Sequence, residues 1–200
     1  MARLIGIAGV ARAGKDTFYK YLQYLLKTKG KETQRVALAD ELKARLDDFL
    51  KEHIGISAYT QDSAEKDIIR DILVAYGKAK RIQSNGTYWT GLSQPKIDAS
   101  LAEGRIPIVT DIRYDAFPED EIHWCQEKNQ GLLIHISRTD RSYFYIKPAN
   151  ADEAQNDPKL QDKADLRICW PTLPSFEGIV EYMREYGNEQ RILKLIGESP

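Results

Sequence analysis

The sequence predicts a three-layer α/β fold, in which helices cover both faces of a mainly parallel sheet. Two observations support this prediction. Short apolar segments of strand length alternate along the chain with longer amphipathic segments of helical period. In addition, the first apolar segment runs into a glycine-rich turn that a helix follows directly, as in doubly wound parallel sheets. The 200 residues are enough for one domain with a sizeable core.

Composition limits the classes of partner. The 29 basic and 30 acidic side chains give a formal net charge of −1, which argues against a nucleic-acid polymer or a membrane surface as partner. The two cysteines, Cys125 and Cys169, lack metal-ligand spacing and are typical of small core residues in a reducing compartment. No apolar run reaches membrane-spanning length, and the apolar N-terminal stretch predicts a strand rather than a signal peptide. We therefore expect a cytoplasmic protein.

The stretch 4–17 contains the most specific motif. An apolar strand at 4–8 is followed by Gly9, four residues and then Gly14-Lys15, the skeleton of a phosphate-binding loop. The glycines allow the tight turn that brings successive N–H groups to phosphate oxygens, and the lysine adds a mobile positive charge. The amphipathic helix that follows directs its positive end at the anion. An ordinary glycine-rich turn is the alternative, but the order of strand, loop and helix favours a phosphate-binding loop.

The motif departs from its usual form at one position. Asp16 stands where a Ser or Thr hydroxyl normally ligates Mg²⁺, and a carboxylate can serve that ion too, usually through a water. Thr17 remains available for a phosphate oxygen.

The rest of the chain continues the alternation. Strands are predicted at 35–39, 105–111, 131–136 and 166–169. Helices are predicted at 40–53, where Asp40 would be the cap, and at 63–77, 88–103, 119–129 and 175–196. Two stretches lack convincing periodicity. The basic segment 78–87 is predicted to be a functional loop or an irregular connection, and 138–163 to be a lid, a binding loop or a disordered tail. No linker or repeat divides residues 1–200.

Asp111 ends an apolar strand, and the carboxyl ends of such strands face the ligand crevice. A carboxylate there can hold the water shell of Mg²⁺ or orient a reacting hydroxyl, although a capping aspartate is the common alternative. Arg113 would point to the same side as Asp111 if the strand continues. An acidic and a basic group at one crevice suit a metal ion and phosphate together.

Several other basic and aromatic residues allow two interpretations. Arg70 and Lys43 lie on predicted helices and are, taken alone, ordinary surface residues. The basic cluster at 78–81, which includes Arg81, is most often a solvated loop. Trp89 beside it either packs in the core or stacks on a nucleobase.

Together these pieces resemble the phage-type deoxynucleoside monophosphate kinases. The resemblance rests on Gly-Val-Ala-Arg-Ala-Gly-Lys-Asp-Thr (9–17), Ala-Asp-Glu-Leu-Lys (39–43), Arg70 seven residues before Gly77, Trp89, Thr-Asp-Ile-Arg-Tyr (110–114) and a strand from 131 that ends at Arg138. It implies a P-loop kinase with an acceptor-binding region at about 40–90 and a lid at about 138–163.

The resemblance also assigns roles. For ATP it implies Gly9, Arg12, Ala13, Gly14, Lys15, Asp16 and Thr17. For the acceptor it implies Asp40, Lys43, Arg70, Arg81, Trp89, Arg113 and Arg141. Lys15, Asp111, Arg113 and Arg138 would act in catalysis, with Arg138 and Arg141 as lid arginines and Asp16 and Asp111 serving Mg²⁺. Arginine suits these places because its planar fork binds phosphate oxygens bidentately.

The expected function is therefore ATP-dependent, Mg²⁺-assisted in-line transfer of a phosphoryl group to a deoxynucleoside 5′-monophosphate. If phage-encoded, the enzyme would work in the host cytoplasm, and a homodimer is the oligomeric alternative to a monomer. Two other functions stay open. One is a related small-molecule kinase of the phosphomevalonate or dephospho-coenzyme A type; the other is a nucleotide-dependent switch or binding module. Arginines outside the phosphate loop favour a second anion, and hence a kinase.

Overall fold

The structure, a computed structural model, describes residues 3–198 and forms one parallel sheet flanked by helices. The five strands lie in the order β2-β3-β1-β4-β5, and all their pairings are parallel. Their bounds are Ile5–Ala8 (β1), Thr33–Val36 (β2), Ile106–Ile112 (β3), Leu132–Thr139 (β4) and Leu166–Pro171 (β5). The predicted three-layer α/β architecture is confirmed.

Eight helices lie within residues 3–198, six of them between strands and two after the last strand. They are Lys15–Thr28 (α1), Leu38–Ile54 (α2), Ser63–Gln83 (α3), Thr87–Ala102 (α4), Glu121–His123 (α5), Ala151–Lys163 (α6), Phe176–Glu185 (α7) and Asn188–Ile196 (α8). The short α5 continues as one π-type turn at Trp124–Lys128. None of the helices in this range is both long and apolar enough to cross a membrane.

Each face of the sheet has its own apolar core. On one face, α1, α7 and α8 pack against alternate strand residues, with Phe18, Leu22 and Met183 fully buried. On the other face α4, α5 and α6 cover the sheet, and Trp124 and Leu160 are buried there. This alternation follows from the period of two in strands that are covered on both sides.

The helix pair α2 and α3 forms a smaller core of its own. Leu46 and Leu50 of α2 and Ile69 of α3 are buried together with Ala58 of the connecting loop. This cluster holds α3 against α2, and the pair borders the space above the carboxyl ends of β1 and β3.

Two segments predicted to be irregular are helical. Residues 78–83 continue α3 through Gly77, and only the turn at 84–86 separates α3 from α4. The prediction of a functional loop or an irregular connection at 78–87 is therefore wrong for most of its length. Residues 151–163 form α6, which the sequence hides because its mean composition is polar and Leu160 is its main buried apolar residue.

Two smaller predictions also need correction. Asp40 does not cap α2, because the helix begins at Leu38 with Ala37 at the cap position. Instead, Asp40 pairs with Arg35 at 3.1 Å. The C-terminal helix is interrupted at Gly187, whose φ of +66° separates α7 from α8.

Candidate functional site

The loop between β1 and α1 curls in a way that depends on its glycines. Gly9 has φ +134°, and a Cβ there would lie 2.2 Å from the Ile136 carbonyl oxygen. Gly14 has φ +95°, and its Cβ would lie 2.9 Å from the Trp170 ring, whose indole N–H donates to the Ala13 carbonyl at 3.1 Å. Both positions therefore exclude side chains, and they hold the loop in the conformation a phosphate-binding loop needs.

Lys15 folds back over this loop. Its Nζ donates to the carbonyl oxygens of Gly9 at 2.7 Å and Val10 at 2.8 Å. Burial, together with the nearby positive charge of Arg113, lowers the pKa of Lys15 to about 8. The ammonium group is thus held in place by the loop itself, where a phosphate would compensate its loss of hydration.

A cavity of about 500 Å³, here called the phosphate cavity, lies above this loop. Most of the predicted site residues line it: Arg12, Gly14, Lys15, Asp16, Thr17, Asp40, Lys43, Asp111, Arg113 and Arg138. Gly9 and Ala13 belong to the same loop but not to the lining of this cavity. The fold therefore gathers residues from the β1–α1 loop, α1, α2, the end of β3 and β4 around one cavity.

Asp111 has a structural role in this cavity. Its Oδ1 accepts from the Leu38 N–H and its Oδ2 from the Ala39 N–H, each at 2.9 Å. The side chain at the end of β3 thus caps the first turn of α2, which is the alternative that sequence reasoning left open. Each oxygen keeps lone-pair capacity toward the cavity.

A second, smaller cavity adjoins the first. This apolar cavity, about 170 Å³, lies between α2 and α3 and is lined by Leu38, Ala39, Leu42, Leu73, Val74, Gly77, Lys78, Arg81, Trp89, Asp111, Arg113, Tyr114 and Glu121. Three residues border both cavities: Ala39, Asp111 and Arg113. The two cavities therefore meet at these three residues.

Arg81 and Trp89 border the apolar cavity as packed residues. Arg81 is buried, donates to Asp120 Oδ2 at 2.7 Å and lies over the Tyr114 ring at 3.7 Å. Trp89 is buried and donates its indole N–H to the Gly77 carbonyl at 3.1 Å. Packing thus accounts for both residues, and substrate contact remains a prediction.

Sequence reasoning did not single out Glu121. Its Oε2 accepts from the backbone N–H groups of Arg113 at 2.6 Å and Tyr114 at 3.1 Å, so it fixes the backbone of Arg113. Burial and the neighbouring carboxylate of Asp120 raise the pKa of Glu121 to about 8. Its position among three successive acidic residues, 119–121, was the only signal, and spacing alone does not say which of them turns inward.

Two predicted arginines lie outside both cavities. Arg70 is exposed on α3 and pairs with Asp67 at 2.8 Å. Arg141 is exposed in a turn whose Asp140 carboxylate accepts from the N–H groups of Ser142 and Phe144. Neither lines a cavity with Arg113. The helical face that carries Arg70 points away from the site because Ile69 turns into the α2–α3 core.

Arg138 lies where the phosphate cavity meets a second groove. It lines the phosphate cavity and also a groove of about 280 Å³ that runs past Thr17 and Trp170 to Phe176. Its Nε is buried and has no hydrogen-bond partner among residues 3–198. A buried donor of this kind is costly without a partner, so it is suited to receive an anionic oxygen.

Two carboxylates at the site are suitable protein ligands for Mg²⁺. Asp16 and Asp111 line one cavity, and Mg²⁺ prefers one or two carboxylates together with phosphate oxygens and waters. No cluster of three or more possible ligands among His, Cys, Asp and Glu occurs within residues 3–198. A nucleotide would therefore have to supply part of the coordination.

Comparisons with known proteins give little guidance. No protein-family model matches the chain, and no curated protein matches it in sequence. Among solved structures, the chain is similar to a dephospho-CoA kinase from Campylobacter jejuni, with 17% sequence identity and a TM-score of 0.39. The alignment covers 94% of this chain and 100% of that chain. At this low sequence identity and TM-score, the similarity indicates neither the reaction nor the acceptor of this chain.

Proposed function

We propose that this protein is an ATP-dependent phosphotransferase of the P-loop kinase class, and that its acceptor is a deoxynucleoside 5′-monophosphate. The observation that carries the proposal is the contact between the two cavities at Asp111 and Arg113. One cavity offers loop N–H groups and cations, and the other offers apolar walls beside the same arginine. Two adjoining cavities of this kind suit a phosphorylated acceptor with a flat apolar ring, bound next to a nucleoside triphosphate.

The chain's residues would have distinct tasks. Lys15 and the loop N–H groups would hold the β- and γ-phosphates of ATP, and the groove beside Trp170 offers room for the rest of the nucleotide. Mg²⁺ would neutralise charge between the phosphates, with Asp16 and Asp111 as its protein ligands or as acceptors from its waters. Arg113 would grip the acceptor phosphate, held in position by Glu121. Arg138 would meet the transferred group.

Catalysis in this arrangement would consist mainly of positioning. The phosphates of donor and acceptor repel one another, and fixed cations lower the cost of bringing them in line. Exclusion of water from the closed site would prevent hydrolysis of ATP.

A coupled ADP-release assay tests the acceptor. The panel contains ribo- and deoxynucleoside monophosphates, phosphomevalonate, dephospho-coenzyme A and a control without acceptor. We expect ADP release to depend on a deoxynucleoside monophosphate. Release with dephospho-coenzyme A or phosphomevalonate instead would support the small-molecule kinase alternative. Slow release without any acceptor would support a nucleotide switch.

Arg113→Ala, with Arg70→Ala as the matched control, tests the site. Loss of a preorganised donor to reacting charge costs about 2–4 kcal/mol, so kcat/KM for the acceptor should fall by tens- to several hundredfold. The KM for ATP should change little, and Arg113→Lys should recover only part of the activity. Arg70→Ala should leave both constants unchanged, because Arg70 is exposed and paired only with Asp67. Equal weakening toward ATP and acceptor in Arg113→Ala would remove Arg113 from the acceptor site.

A further inference from the structure

A carboxylate from a distant part of the chain lies against the phosphate loop. Glu153 Oε2, on α6, accepts from the Ala11 backbone N–H at 3.1 Å, across 142 positions of sequence. Its Oε1 lies 3.6 Å from Arg113 Nη1. The Glu153 side chain is only 10% exposed, whereas the Arg113 side chain is 43% exposed. The resemblance to a kinase family did not point to this residue.

The groups around Glu153 are those that bind phosphate oxygens. A backbone N–H of a phosphate loop and an arginine guanidinium are both typical donors to such oxygens. The carboxylate of Glu153 accepts a hydrogen bond from the first of these groups and forms an ion pair with the second. Glu153 also lines the small cavity beside Gly9 and Val10, the residues whose carbonyl groups hold Lys15.

We propose that Glu153 holds the place of a phosphate group on this loop, so that binding of a phosphorylated ligand must displace it. In this proposal, the contact between Glu153, in the first turn of α6, and the phosphate-binding loop is autoinhibitory. This inference rests on the proposed function, since it takes the loop and Arg113 as phosphate ligands. The cost of displacing Glu153 would be subtracted from the affinity of every ligand that needs the same donors.

The packing of α6 allows its first turn to move while the rest stays fixed. The C-terminal half is anchored by buried Leu160 and by Lys163, which pairs with Asp115 at 2.7 Å. At the N-terminal end, apart from Glu153, an exposed pair of Lys78 and Asp152 at 3.4 Å is the neighbouring ionic contact. A change of the Glu153 rotamer, or fraying of one turn, suffices to release the loop.

A purely structural role for Glu153 is the competing explanation. Its Oε2 also accepts from the Ala149 N–H at 3.0 Å, and the Asn150 side chain accepts from the Glu153 N–H at 2.9 Å. This reciprocal pattern is similar to a capping box, in which Glu and Gln serve equally. Glu153→Gln therefore keeps the cap and removes the negative charge, which separates the two roles.

Calorimetric titration with MgATP and with inorganic pyrophosphate tests the proposal, on the wild type, Glu153→Gln and the control Asp152→Asn. Asp152→Asn removes a neighbouring negative charge that does not touch the loop. Exchange of a charged acceptor for a neutral one weakens the competing contact, so Glu153→Gln should bind both ligands about fivefold to tenfold more tightly. The control should change affinity by less than about twofold, and both variants should keep the wild-type melting temperature within a few degrees.

The outcomes separate this inference from the proposed function. If the wild type binds MgATP and Glu153→Gln binds it equally or more weakly, the autoinhibitory role is overturned and the proposed function stands. An equal gain in Glu153→Gln and Asp152→Asn also overturns it, because the effect would then come from net charge alone. If no variant binds either ligand, the proposed function itself is overturned.

Discussion

Lys15 shows how a single residue is prepared for an anion. Its ammonium group is buried, and its partners are two neutral carbonyl oxygens of its own loop. Burial lowers the pKa of Lys15 to about 8, so its charge changes within one pH unit or so of neutral solution. A bound phosphate would reverse this effect, because an opposite charge favours the protonated form.

The affinity for ATP should therefore fall as pH rises above about 8. Below that pH Lys15 is already charged; above it, binding must first take up a proton, which can weaken affinity by up to about tenfold per pH unit. Titration of wild type with MgATP between pH 7 and 9.5 measures this slope. Without ligand, the free energy of unfolding depends on pH in the opposite direction. Between pH about 8 and pH 10.5, the pKa of lysine in an unfolded chain, the unfolded chain binds more protons than the folded chain, so stability rises with pH.

Two variants control this experiment. Lys15→Met should bind ATP weakly at every pH while keeping its fold. Glu121 also has a pKa of about 8, so Glu121→Gln, which removes that titration, should retain the slope. A slope that disappears in Glu121→Gln would assign the pH dependence to Glu121 instead of Lys15.

At the scale of elements, β3 and α2 are joined through one side chain. Both carboxylate oxygens of Asp111 accept from N–H groups in the first turn of α2, and the same side chain borders both cavities. A negative charge at a helix N-terminus also interacts favourably with the helix dipole. The position of α2, and with it one wall of each cavity, thus depends on a residue that sequence reasoning chose for its chemistry.

Asp111→Asn should lower the free energy of unfolding by about 1–2 kcal/mol, in addition to raising the Mg²⁺ concentration needed for turnover. The amide nitrogen cannot accept a hydrogen bond, so one N–H of α2 loses its partner and the charge at the helix start is lost. Urea denaturation measures the first effect and a Mg²⁺ titration of activity the second. Asp40→Asn, which affects only a half-exposed pair with Arg35, should cost less than about 0.5 kcal/mol. Unchanged stability would remove the capping role, and an unchanged Mg²⁺ titration would leave Asp111 as a cap alone.

Elements with regular apolar spacing could be predicted from the sequence, whereas others could not. The strands β1, β3 and β4 and the helix α2 lie close to their predicted ranges because their core-facing residues are mostly apolar. Helix α6 could not be predicted, since polar contacts hold much of it: Asn156 accepts from the Asp115 N–H, and Asp157 contacts His135. Such partners are distant in sequence. The same reason explains why Glu153 and Glu121 escaped prediction.

At the scale of the whole molecule, a buried ion pair connects α3 to the loop before α5. The Asp120 side chain is fully buried, and besides Arg81 it accepts from the backbone N–H groups of Ala116, Phe117 and Glu121. Asp120 thereby organises the loop after Arg113 and holds the C-terminal half of α3 beside the sheet. The apolar cavity depends on this attachment.

Arg81→Ala should lower the free energy of unfolding by about 3–5 kcal/mol, because it leaves a buried carboxylate without its counter-ion. Urea denaturation of the free protein provides the measurement. Arg70→Ala is the matched control on the same helix, and its exposed pair should contribute less than about 0.5 kcal/mol. If Arg81→Ala kept wild-type stability but lost affinity for the acceptor, Arg81 would be a ligand-binding residue rather than an anchor of α3.

The three residues shared by the two cavities have a consequence for inhibitor design. Ala39, Asp111 and Arg113 border both spaces, so the phosphate cavity and the apolar cavity adjoin at these residues. A compound that tethers an oligophosphate to an aromatic ring through a short linker would therefore occupy both at once. Its second contact would form within one molecule, where the effective concentration of the tethered group reaches about the millimolar range for a short flexible linker. Selectivity for this protein would then come from the length of the tether, which must match the distance across Arg113.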